Sequence, residues 1–377
     1  MRHRSFCRGV ALLAVMMAAV STGFTQTQQK NSPNSMILYP SYCSVDIESW
    51  RSYIRDLIVV PVDFHTIQDA IDNAVDNEIV LVEPGTYFEN INFKGKAITV
   101  KSLYGACCTE INGRFPDDPD YGSVVTFCSG EQMNSRLIGF TLREGCGTIN
   151  WPSGSSCGGG IYCEDASPYI SNNIIMDNTT HLSENNHGVG AGMFFSYSNA
   201  MVVNNLIAHC TADNKGGGIA CGASNLTLRN ITIAYNEATD SGGGIYASSN
   251  TTLKMESCIV WENSAALGPD VVLRGGSRLQ VSFCDIKGGL EAIEFDPLVS
   301  FVYWGNGMIS QDPLFMNNPD GDFLLSQIAA GQDQNSPCVN AGKRSSMLFL
   351  LNRRWTRTDK VFDRGTVDMG YHYYSKL

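Results

Sequence analysis

Apolar and polar residues alternate in five short runs along the middle of the chain: "NSRLIGFTLREG" (134–145), "SPYISNNIIMDN" (167–178), "NAMVVNNLIAHC" (199–210), "NLTLRNITIAYN" (225–236) and "TLKMESCIVWEN" (252–263). Such alternation marks strands with one buried face. The runs end at Gly145, Asn178, Cys210, Asn236 and Asn263, at intervals of 33, 32, 26 and 27. A glycine corner precedes each of the last four: "CGGGIY" (157–162), "GVGAGMFF" (188–195), "KGGGIA" (215–220) and "SGGGIY" (241–246). Units of this length cannot bury an apolar face alone, so they stack. A corner repeated in every unit needs backbone with positive φ, which glycine adopts freely. Parallel coils lie about 4.8 Å apart, so equivalent residues form columns along the axis. Asn172, Asn204 and Asn230 are one column, expected to face inward as an amide ladder. The pattern predicts an all-β chain, a right-handed parallel β-helix over residues 63–299. No LxxLxL frame supports a leucine-rich repeat, and corners this regular disfavour a sandwich.

Upstream, Ile67, Ala70, Ile71 and Ala74 make a helical stripe, which predicts a short helix capping the N-terminal end; Ile79–Val82 reads as a buried strand. Residues 300–377 lose the period and are expected to form an irregular C-terminal cap. Residues 24–62 read as a leader and packing segment. Residues 1–23 place Arg2, Arg4 and Arg8 before an apolar run, as in a secretory signal peptide. "HTIQDAIDNAVDNEIVLVEPGTYFENINFKGKAITVKSLYG" (65–105) resembles the N-terminal entry of secreted bacterial β-helix proteins of the pectin-lyase-like superfamily. "SQDPLF" (310–315), "SPCVNAG" (336–342) and "DRGTVDMGYHYY" (363–374) resemble their closing segment. The repeats are also similar to those of chlamydial polymorphic outer-membrane proteins. The resemblance implies an exported chain, secreted or held in the periplasm or on the outer surface.

Composition sharpens this. With 37 Gly and 17% charged residues, the chain favours strands and tight turns. The net charge of −11 becomes −14 without residues 1–23, which excludes a nucleic-acid binder that needs basic stripes. After residue 23 no apolar run is long enough to span a bilayer. The 13 cysteines show no zinc spacing. Cys107 and Cys108 are adjacent, Cys146 and Cys157 flank an inserted loop as a candidate staple, and Cys258 and Cys284 share a column as a disulfide or a stacked thiol pair.

Candidate chemistry lies at one corner. The residue before each run end is Glu144, Asp177, His209, Tyr235 and Glu262. Facing outward on successive coils, Glu144, Asp177 and His209 are a candidate acid, base and imidazole set. Two insertions, 146–159 and 179–190, leave this corner on adjacent coils. They supply Trp151, His181, Glu184 and His187, which with Tyr235 and Glu262 are candidate sugar contacts. A solvated solenoid presents polar columns as well, so the bland reading stands beside this one. His181, Glu184 and His187 are a weaker candidate metal set. Asp117, Asp118 and Asp120 are a candidate calcium turn, the one cofactor in view. The resemblance implies GHG and RIK motifs for a pectin hydrolase, and the chain has neither. The expectation is therefore a monomeric, non-catalytic binder of polysaccharide or cell-envelope glycan, or a structural surface protein. The alternatives are a polysaccharide lyase or glycosidase working beside the insertions, and an adhesin.

Overall fold

The computed structural model describes residues 56–150, 153–180, 187–316, 323–349 and 351–374. All fall in one compact unit, Arg51–Leu377. Three long sheets, of ten, eight and eight strands, are parallel throughout and run the length of a β-helix. The first begins with Leu57–Val60 and ends with Phe301–Trp304. The repeat register is the one the alternation predicts. Leu137, Ile170, Val202, Leu228, Met255 and Val281 stack in the first sheet, and Leu142, Ile175, Ile207, Ile233 and Val260 in the second. All these side chains are buried in one continuous core. The sole α-helix among the described residues, α1 (Ile67–Asn73), buries Ile67, Ala70 and Ile71. Thr66 Oγ1 caps it by accepting from Asp69 N at 3.0 Å, and the Glu89 carboxylate accepts from Ile67 N and Gln68 N, both at 2.9 Å.

The glycine corner divides its labour. The first glycine takes the left-handed backbone (φ +64° at Gly158, +65° at Gly216 and Gly242). The third needs space: a Cβ at Gly218 would lie 2.6 Å from Gly244 O, and one at Gly160 2.6 Å from Gly192 O. An inward polar ladder follows the run ends. Gly145 N donates to Asn178 Oδ1, Cys210 N to Asn236 Oδ1, and Asn236 N to Asn263 Oδ1, each at 3.0 Å. Asp270 closes it, accepting from Asn263 Nδ2 at 2.8 Å.

One column differs from expectation. The inward amides are Asn173 and Asn205, linked Nδ2 to Oδ1 at 3.0 Å, with Ile231, Cys258 and Cys284 below them. Asn172, Asn204 and Asn230 sit one residue earlier, in left-handed backbone (φ +61°, +51° and +50°), and face outward. A one-residue shift exchanges the faces of a strand.

Asn204 Nδ2 donates to Asn172 Oδ1 at 3.0 Å, so one coil-to-coil amide link forms here too. Asn204 and Asn230 also meet the closing segment, which is irregular and runs back along the flank of the second sheet. Asn204 Oδ1 accepts from His372 N at 2.7 Å, Asn230 Nδ2 donates to Asp368 O at 3.1 Å, and Gly370 N donates to Ser257 O at 2.9 Å. Phe323, Leu324, Trp355, Tyr371 and Tyr373 pack on Leu206, Ala208 and Ala234, which point away from the coil core. The second sheet is thus buried on both faces at these coils.

Candidate functional site

Glu144, Asp177, His209, Tyr235 and Glu262 all adopt left-handed backbone, with φ between +54° and +61°, so each projects from the same corner of successive coils. The structure brings the five into one line, then divides it chemically. Asp177 is gripped by Arg143, whose Nε donates to Oδ2 at 3.0 Å and whose Nη2 is closer still. Glu262 accepts from Lys287 Nζ at 2.8 Å. Between them the His209 and Tyr235 rings stack, centroids 5.7 Å apart, and Phe323 tilts against both at 5.9 Å. Burial, then the charges of Glu262 and Asp312, push the Tyr235 phenol up, so it stays protonated. A cleft of about 350 Å³ opens beside Tyr235, lined by Asp312, Leu314, Phe315, Met316, Ser326 and Gln334.

The two insertions are neighbours at their bases. The first is a hairpin, Gly147–Asn150 with Ser155–Cys157, and its second strand pairs in parallel with Gly188–Val189. Its far end rests on the third sheet, where Asn150 Nδ2 donates to Tyr162 Oη at 2.8 Å and Glu164 Oε1 at 2.9 Å. His187 is exposed at the exit of the second insertion; Trp151, His181 and Glu184 lie outside the described residues. No cysteine among the described residues forms a disulfide, Cys146 and Cys157 included. Cys258 and Cys284 are a stacked pair, Cys258 N donating to Cys284 Sγ at 3.2 Å. Asp117, Asp118 and Asp120 are exposed, and no three His, Cys, Asp or Glu side chains converge as metal ligands among the described residues.

A second surface lay outside the sequence expectations. The outward residues of the first sheet align as Arg136, Tyr169, Met201, Thr227, Lys254, Gln280 and Tyr303. Arg278 and Phe301 flank this row on one side, and Arg229 and Glu256 on the other. Among the described residues Arg136, Arg229, Lys254 and Arg278 make no ion pair, and Arg136 lies over the Tyr169 ring at 5.6 Å. Glu256 is the one carboxylate in these rows, and it faces Lys343 Nζ at 2.8 Å and Arg344 Nε at 3.9 Å. On the other faces the pattern is opposite: Arg143, Lys287 and Arg274 each hold an acid. The signal was present as "RLI", "YIS", "LTLR", "LKME" and "RLQV", whose polar letters alternate with the core. Nothing in one run shows that these letters share a face with those of the next.

Residues 133–293 match the family model described as right handed beta helix region. No curated protein matches the chain by sequence. Among solved structures, Escherichia coli ybhc is 11% identical, with 78% of this chain and 90% of that one covered and a TM-score of 0.37. Pectin methylesterase from carrot is 11% identical, with 68% and 82% covered and a TM-score of 0.35. Pectin methylesterase PemA from Erwinia chrysanthemi is 11% identical, with 69% and 92% covered and a TM-score of 0.34. The matched family model and the parallel pairing throughout the three long sheets agree: the chain is a right-handed parallel β-helix.

Proposed function

We propose that this chain is a non-catalytic, exported polysaccharide-binding protein that holds an acidic glycan along the open face of its first sheet. The observation that carries the reading is the row of unpaired cations. Arg136, Arg229, Lys254 and Arg278 gather on one face of a chain whose net charge is −11. Charge of one sign on a single face attracts the opposite charge at long range. Arginine forks match carboxylates in two-point contact. Tyr169, Phe301 and Tyr303 supply rings between and beside the cations. Coils about 4.8 Å apart offer a contact at each step to an extended glycan lying along the axis.

The corner column supports binding rather than catalysis. Arg143 and Lys287 hold Asp177 and Glu262 as ion pairs, which takes Asp177 out of the acid, base and imidazole set.

The test is isothermal titration of polygalacturonate, alginate and a neutral glucan, with reducing ends and absorbance at 230–235 nm (unsaturated products) followed in parallel. Expected are binding of the acidic polymers, no product, and a loss of tenfold or more in an R136A/K254A/R278A variant. Equal binding of the neutral glucan, or full affinity in the variant, sinks the acidic-face reading; accumulating product sinks the non-catalytic one. Cell fractionation tests export.

A further inference from the structure

We propose that Cys107 and Cys108 form a two-thiol binding site for a trivalent metalloid of the arsenic(III) type. The pair sits in the turn between Thr99–Ser102 and Thr109–Asn112, at the edge between the first and second sheets. Cys107 is exposed, Cys108 is half-buried, and their Sγ atoms are 3.1 Å apart.

The bite selects the ion. With bonds of about 2.3 Å, as in zinc thiolates, sulfurs 3.1 Å apart subtend about 85° at a shared centre. A pyramidal three-coordinate centre, whose bonds lie near right angles, accepts that bite with little movement. Tetrahedral zinc wants a wider angle and four ligands, and no group of three metal-ligating side chains converges among the described residues. A two-coordinate linear ion needs its sulfurs on opposite sides. Carbonyl oxygens of Tyr104 and Tyr374 lie 3.9 and 3.8 Å from Cys107 Sγ and border the site on the protein side.

Closure of the pair to a disulfide is disfavoured. Adjacent Cα atoms across a trans peptide are about 3.8 Å apart, below the usual disulfide span of about 4.4–6.8 Å. The dithiol is therefore the form at hand. The other touching pair, Cys258 and Cys284, is fully buried and out of reach of a ligand in solution.

Phenylarsine oxide is the probe. Both S–H bonds break and two As–S bonds form. The oxygen leaves as water with the two thiol protons, and arsenic stays trivalent. The full chain is reduced with a phosphine, freed of reductant, loaded, and followed by intact mass. The expected result is one equivalent that survives excess mercaptoethanol, leaves with 2,3-dimercaptopropanol, and falls at least tenfold in C107S and in C108S while C258S retains it. Label washed off by the monothiol, or kept by both single variants, overturns the assignment. Peptide mapping of the unsubstituted chain is independent of variant folding: the probe should protect both cysteines of this turn from iodoacetamide together. Unchanged alkylation there overturns the proposal as well.

Discussion

Asp270 stands where the amide ladder ends, and it is the wrong residue for a quiet ending. Burial is the largest cause lifting its carboxyl to about 6, against the hydrogen bonds from Asn263. The folded form therefore binds the proton more tightly than the unfolded chain. Stability from this group is fully present below about pH 4 and is lost as pH rises through 6. Asp270→Asn keeps an acceptor for Asn263 and removes the buried charge. It should raise the unfolding free energy by roughly 1–3 kcal/mol at pH 8, with the gain vanishing near pH 4. Denaturant melts at the two pH values check the sign. Gly218 offers a second test at this scale, since Gly218→Ala drives a methyl to 2.6 Å from Gly244 O and 2.9 Å from Ile233 Cγ2. A loss of roughly 1–3 kcal/mol is expected, measured the same way; an unchanged midpoint would contradict the packing account. The repeat made Gly218 visible as a corner position, and Asp270 was not among those positions. It did not distinguish the glycine needed for φ from the one needed for room, because that depends on the next coil's carbonyl.

The closing segment is the element the sequence described least. Its loss of period was plain, but its course along the second sheet is set by side chains 130 to 170 residues away, such as Thr232 and Asn204. A clue existed in "LIA", "TIA" and "IVW", strands apolar at every position or nearly so, which fit a sheet covered on both faces. Trp355 is 5% exposed within this cover. Trp355→Ala should weaken docking by about 3–5 kcal/mol while leaving the coils wound, since elements with separate contacts open separately. Limited proteolysis should then clip the C-terminal segment first, with far-UV circular dichroism of the remainder retained. Simultaneous loss of both would show that the segment and solenoid fold as one unit. The cover also sets Phe323 against the His209 and Tyr235 rings, which the corner column alone gave no reason to expect.

For the whole molecule, charge is the governing asymmetry. A net charge of −11 describes the sum, while Arg136, Arg229, Lys254 and Arg278 on the first sheet make no ion pair among the described residues. If that face binds acidic glycan, affinity should fall steeply as salt rises from 50 to 500 mM, because exposed charges beyond about a Debye length are screened. The R136A/K254A/R278A variant should show a much flatter salt slope in the same titration, and equal slopes would remove the electrostatic argument. The total charge is that of an acidic chain, and it concealed this local face.

Winding, corner spacing and the line of outward residues from Glu144 to Glu262 were legible in the sequence alone, whereas the inward amide ladder was expected at Asn172, Asn204 and Asn230 and lies instead at Asn178, Asn236 and Asn263. Each legible feature depends on a local period of alternation and glycine, which a single chain writes out in order. Only the tertiary structure decided which outward letters became neighbours: Arg143 with Asp177, Phe323 with His209, and Arg136 with Tyr169. Those meetings follow from register between coils and from where an aperiodic tail finds apolar surface, and neither is encoded within one repeat.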